Sequence, residues 1–160
     1  MGRHYEPRVL SSVLDRLTSI APSGEIGSVS ADSIQEMQAA IGRDLRALLN
    51  TRRQEYLVPA DFEQTSASIV NFGIPDFLGY TLRSPADQSH LRKALETAIR
   101  TFEPRLANVR VVLLGWDEVS PVLRFRVLAD LNVEPAPEPV MFDTELQGDS
   151  GKFFVRGKTQ

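Results

Sequence analysis

Leu123-Arg124-Phe125-Arg126-Val127-Leu128-Ala129-Asp130-Leu131-Asn132-Val133 is the stretch that decides the fold. Its odd positions are apolar, and every even position except Leu128 is polar or charged. Side chains of an extended chain point alternately to opposite faces, so this period of two predicts a strand with one face buried. Upstream, Val109, Val111 and Leu113 alternate against Arg110, Val112 and Leu114, and Gly115-Trp116-Asp117 with Ser120-Pro121 break the run. Downstream, Pro135, Pro137 and Pro139 close the central strand. Val140, Phe142, Thr144 and Leu146 then form another alternating run, Gly148-Asp149-Ser150-Gly151 a turn, and Lys152-Phe153-Phe154-Val155-Arg156 a last strand.

Before residue 105 the period is helical. Val9, Leu10, Val13, Leu14 and Leu17 predict a short helix that Ala21-Pro22-Ser23-Gly24 ends. A second helix begins at Ser30, whose hydroxyl can cap free backbone N–H groups, with Asp32 in its first turn. Ile34, Met37, Ile41, Leu45, Leu48 and Leu49 form its apolar stripe, while Arg43, Asp44 and Arg46 lie elsewhere. Thr51-Arg52-Arg53 suits its C-terminus. Residues 52–83 are irregular, ordered by aromatics, with one short helix near Ser66 to Val70. A third helix starts at Ser84-Pro85, buries Leu91, Leu95, Ile99 and Phe102, and stops at Pro104. Helices first and strands afterwards predict an α+β fold, N-terminal helices packed on a small C-terminal antiparallel sheet. The expected division is an N-terminal segment with a short helix over residues 1–29 and a single α+β domain over residues 30–160.

At 160 residues there is room for one such domain and little for a second. A net charge of -3 gives no reason to expect nucleic acid, whose partners are usually strongly basic. Zero Cys excludes disulfides, thiolate metal sites and Cys nucleophiles, and fits a cytosolic protein. The apolar runs are too short to span a bilayer, and Met1 to Arg8 lacks the apolar segment of a secretory signal.

Catalytic equipment is scarce. His4 and His90 stand without a second His at ligand spacing, so no metal site is expected, and no cofactor. Neither a phosphate-cradling glycine loop nor a Gly-x-Ser-x-Gly elbow is present. Paired carboxylates, Asp61 with Glu63 or Glu103 with Asp76, are the remaining catalytic option, as acid and nucleophile of a glycosidase. Spacing cannot set two acids across a sugar ring, and caps, turns and solvated surface groups account for them as well, so no catalytic residue is assigned. Glu103-Pro104-Arg105 is the odd local feature, where a helix ends and the sheet begins. Read plainly it is a helix stop followed by a surface ion pair worth under about 1 kcal/mol. Read more sharply it is a docking knuckle, Arg105 offering its planar donor fork to a partner. Spacing alone favours the plain reading.

Four stretches bring a family into view: Val13-Leu14-Asp15-Arg16-Leu17, Asp44 to Arg52, Ser68-Ile69-Val70-Asn71-Phe72-Gly73-Ile74-Pro75-Asp76, and Phe102-Glu103-Pro104-Arg105-Leu106. In this order, at this length, the chain resembles the TssE family of type VI secretion baseplate subunits, itself similar to the lysozyme-like wedge protein of contractile phage tails. Val70-Asn71-Phe72-Gly73-Ile74 departs conservatively from the family's commoner Leu-Asn-Tyr-Gly-Leu. The resemblance implies a structural protein and not an enzyme. It would link the wedge proteins TssF and TssG, and other baseplate subunits, to the sheath proteins TssB and TssC, and initiate sheath assembly. It implies a cytoplasmic protein in a baseplate at the inner membrane, with no direct insertion. It nominates Glu103, Pro104 and Arg105 as partner-binding, facing a helical core bundle of the wedge, and a sheet edge that accepts sheath strands. Substitution of Glu103 or Arg105 should then impair wedge binding and leave the monomer folded. A sheet with short end strands leaves unpaired edge groups, which suits strand addition, and the three prolines would limit uncontrolled pairing. The rivals are a peptidoglycan-cleaving glycosidase and the equivalent subunit of a phage tail or other contractile injection device.

Overall fold

In the first helix, α1 (Ile34–Asn50), one face is apolar at helical spacing and that face is buried: Met37, Ile41, Leu45, Leu48 and Leu49. The computed structural model describes residues 34–53, 62–77, 80–81, 83–117, 119–133 and 136–158. The expected helix at Val9–Leu17, the Ser30 cap, Asp32 and Pro135 lie outside them. The end of α1 uses the residues expected there. Thr51 Oγ1 donates to the Ala47 carbonyl (2.8 Å) and Arg52 Nη1 to that of Leu49 (3.2 Å), taking carbonyls that a helix end leaves free.

The central segment turns back against that end. Ile74 N–H donates to the Thr51 carbonyl and Arg53 N–H to that of Ile74, at 2.9 and 2.8 Å. Gly73 makes the approach feasible: its φ is +115°, and a Cβ there would lie 2.5 Å from the Thr51 carbonyl oxygen. Aromatics hold the segment down, as expected, with Phe72 edge-on to Phe102 and Phe77 edge-on to Tyr80. The one short helix expected near Ser66 to Val70 is instead two turns, Glu63–Ser66 and a 3-10 turn Ile69–Asn71. Ser68 between them is extended (φ -85°, ψ 169°). Its hydroxyl donates to the Thr65 carbonyl, and the Asn71 amide to that of Ser66, so local side-chain bonds replace a continuous helical ladder.

The second long helix, α2 (Pro85–Phe102), starts where its sequence says. Ser84 accepts from the Asp87 N–H, Pro85 occupies the first position, and Leu91, Leu95, Ala98 and Ile99 are buried. Four antiparallel strands follow: β1 (Leu106–Asp117), β2 (Val122–Leu131), β3 (Glu138–Gln147) and β4 (Phe153–Lys158), in the sheet order β1-β2-β3-β4. The alternating apolar positions of all four face α1 and α2. α2 lies against β1 and α1 against β4, and among the described residues no helix covers the other face of the sheet. This is the α+β arrangement that the two periods predict.

Two details of the sheet differ from expectation. Gly115-Trp116-Asp117 does not break β1 but belongs to it. Leu114 is an extra residue opposite β2, a bulge that Gly115 accommodates with φ +143°. A second bulge at Asn108 (φ +51°) and Val109 faces the single residue Ala129, and the Asn108 amide holds Asp130 at 2.7 Å. Nor does Pro139 close the central strand: β2 ends at Leu131, and Pro139 lies inside β3, opposite Asp130. The register turns odd-numbered β3 residues toward β4, whose described part ends opposite Met141, so Pro139 removes no donor from the described ladder.

Candidate functional site

The corner between α2 and β1 draws on four elements, these two together with α1 and the end of β2. Glu103 caps α2, its N–H on the Ile99 carbonyl, and its own carbonyl takes the Leu106 N–H that starts β1. Asn132, just past β2, donates its N–H to the Arg105 carbonyl (2.9 Å) and its amide to that of Pro104 (3.3 Å). Arg105 bends back over this frame. Its Nε and Nη2 each meet one oxygen of Glu103, and Nη2 also meets Asp44 Oδ2 from α1, all at 2.5 Å. The Glu103 side chain is 5% exposed, Arg105 12% and Asp44 23%, while Pro104 is exposed. Burial alone would pull the Arg105 pKa down; Glu103 first and Asp44 second outweigh it and raise it above that of an ordinary arginine.

The corner therefore combines both sequence readings and corrects each. It is more than a surface ion pair, because it is largely desolvated and ties α1 to the α2–β1 junction. Nor does the donor fork of Arg105 point outward, since two of its nitrogens are taken by carboxylates of the same chain. What projects is the ring of Pro104. Asp44 was missed by sequence reasoning: it sits off the apolar stripe like any solvated helix acid, and 61 residues separate it from Arg105.

The other candidates are placed apart. Asp61 and the side chain of Glu63 lie outside the described residues. Glu103 is held by Arg105, whereas Asp76 stands 3.9 Å from Arg52. His90 is exposed beside the Tyr80 ring, and His4 lies outside the described residues. No group of three or more His, Asp or Glu side chains among the described residues is arranged to hold a metal ion.

The sheet edges differ from the open edges expected. On β4, the Phe153 N–H donates to Asn50 Oδ1 (3.0 Å) and its carbonyl accepts from Asn50 Nδ2 (2.9 Å). The Val155 carbonyl accepts from Arg46 Nη2 (3.1 Å). On β1, the Val111 N–H donates to Glu96 Oε1 (2.9 Å) and the Val109 carbonyl accepts from Arg100 Nη2 (2.7 Å). The register also turns the backbone of Leu113, and past the bulge that of Trp116, outward from the sheet. No helix side chain among the described residues bonds either one.

The described residues thus form a small α+β domain, two long helices on one face of a four-stranded antiparallel meander, with the charged corner at the junction of helix and sheet. The family model for baseplate wedge protein gp25 matches residues 35–136, from α1 through β2, and the chain belongs to that family. The corner lies inside the matched region. No curated protein matches the chain. No helix among the described residues is long and apolar enough to cross a membrane.

Proposed function

We propose that the chain is the TssE-type wedge subunit of a type VI secretion baseplate, a non-enzymatic joint between TssF and TssG on one side and the first ring of TssB and TssC on the other. It would act in the cytoplasm, in a baseplate assembled at the inner membrane, and initiate sheath assembly there. The observation that carries the reading is the corner. Glu103, Arg105 and Asp44 hold an exposed Pro104 on a frame made from both long helices and the start of the sheet. A preset contact costs less ordering on binding than a flexible one. In this reading Pro104 meets the wedge, and Glu103 and Arg105 position it. On the sheath side, the reading takes strand addition at the distal part of β1, where the backbone edge is free of helix side chains.

Pro104→Ala and Pro104→Asp are the direct test, because they change the exposed ring and leave the ion triad in place. The expected outcome is a folded subunit that no longer co-purifies with TssF and TssG. Co-purification at the wild-type level would sink the assignment. Genes for TssB, TssC, TssF and TssG beside this one would separate type VI secretion from a phage tail.

A further inference from the structure

Helix-on-sheet packing requires apolar contact and nothing more, yet four polar side chains of α1 and α2 reach past the core to the outward backbone groups of the sheet. We propose that Arg46, Asn50, Glu96 and Arg100 are edge guards, occupying outward backbone groups of β4 and of the first half of β1 and so opposing strand pairing there with a second copy of this chain. The inference concerns the free subunit and does not depend on which machine it joins.

The register supports this. Among the four strands, the outward-facing positions of β4 are Phe153, Val155 and Gly157, and those of β1 include Val109 and Val111. These N–H and C=O groups are the ones that another edge strand would take. Asn50 takes both groups of Phe153, as an opposing strand residue does. Arg46 continues along β4 to Val155, while Glu96 and Arg100 take a donor and an acceptor on β1. The bonds come from two different helices and fall on the two opposite edges, always on the outward positions.

The edges also need guarding. β1 exposes Val112 (42%) and Leu114 (52%) on the open face, and β4 exposes Phe154 (41%). Neither strand contains proline. Apolar side chains beside an unpaired backbone edge favour self-pairing. Among the described residues, guarding by helix side chains reaches Val111 on β1 and not the stretch from Leu113 to Asp117.

The test uses the full chain without partners. Wild type should sediment as a monomer across concentration. Arg46→Ala with Asn50→Ala should self-associate as concentration rises, and its Phe153 amide should exchange hydrogen about tenfold faster. Adding Gly157→Pro, which removes one outward N–H of β4, should restore the monomer; association caused merely by unfolding would persist. Glu96→Ala with Arg100→Ala is the second variant, reporting the β1 edge through the Val111 amide. In wild type the Leu113 and Trp116 amides should exchange faster than that of Val111. Folded variants that stay monomeric despite faster exchange, or a wild type that already pairs through these edges, would overturn the proposal.

Discussion

The Glu103–Arg105–Asp44 corner and the ladder on the open sheet face use the same functional groups in opposite surroundings. On the ladder, Arg126 Nε meets Asp143 Oδ1 at 2.6 Å, and Arg124 lies 3.3 Å from Glu145 and 3.5 Å from Asp117. The Arg126–Asp143 contact is nearly as short as those of the corner, and like Arg105–Asp44 it joins residues far apart in sequence. The difference is water. Glu103 and Arg105 are nearly desolvated, whereas half of the Arg124 side chain is exposed. A charge that has lost its water depends on its partner, and a charge that has kept it does not. Contact distance therefore does not rank the two networks; exposure does.

The sharpest way to break that comparison is to remove one partner from each. Glu103→Ala leaves Arg105 buried with Asp44 alone, and is expected to cost about 3 kcal/mol of unfolding free energy in a denaturant titration. Such a variant is expected to stay folded, but because this side chain is buried it should do so with a smaller stability margin. A loss under about 1 kcal/mol, the range of exposed pairs, would place the corner in the ladder's class. This is also why the docking test above rests on Pro104: loss of Glu103 would weaken the fold and the contact together.

A smaller effect separates the networks by salt. Double-mutant cycles on Glu103 with Arg105 and on Arg126 with Asp143 should both show coupling at low ionic strength. At about 1 M salt the screening length falls to roughly 3 Å, and the Arg126–Asp143 coupling should weaken by a larger fraction than that of the corner. Equal loss in both cycles would mean that water reaches the corner as freely as the sheet face.

How far these regions were legible in sequence follows from the same physics. The alternation of Leu123 to Leu131 and the stripe from Met37 to Leu49 are local records of burial, and both strand and helix lie where they predict. Ser84-Pro85 is legible because capping is chemistry between neighbours. Glu103-Pro104-Arg105 stood out as a motif, but its third member, Asp44, did not, because a helix acid that meets a distant arginine has the same local pattern as one that meets water. Asn50 and Glu96 escaped for the same reason. Pro139 misled in the other direction: proline marks a strand end only where its nitrogen faces a neighbouring strand, and in β3 it faces away from β2. The bulge at Leu114 keeps Trp116 in β1 although Gly115 reads as a break.

The smallest effect concerns Asp117, the acid at the ladder's end. Its Oδ1 accepts from the N–H groups of Val119 (3.0 Å) and Ser120 (3.2 Å), closing the turn from β1 into β2. Those backbone bonds, Ser120 first and Val119 next, hold its pKa below the usual value near 3.8, with Arg124 adding less. Because the folded value is the lower one, the stabilisation is present above pH 3.8 and is lost as pH falls from there through the folded pKa. Asp117→Asn should therefore be slightly less stable than wild type at neutral pH, and the gap should close under acid. Unfolding midpoints measured for both proteins across that range decide the matter. A gap independent of pH would assign the effect to the shape of the turn, and a gap that widens in acid would reverse the sign.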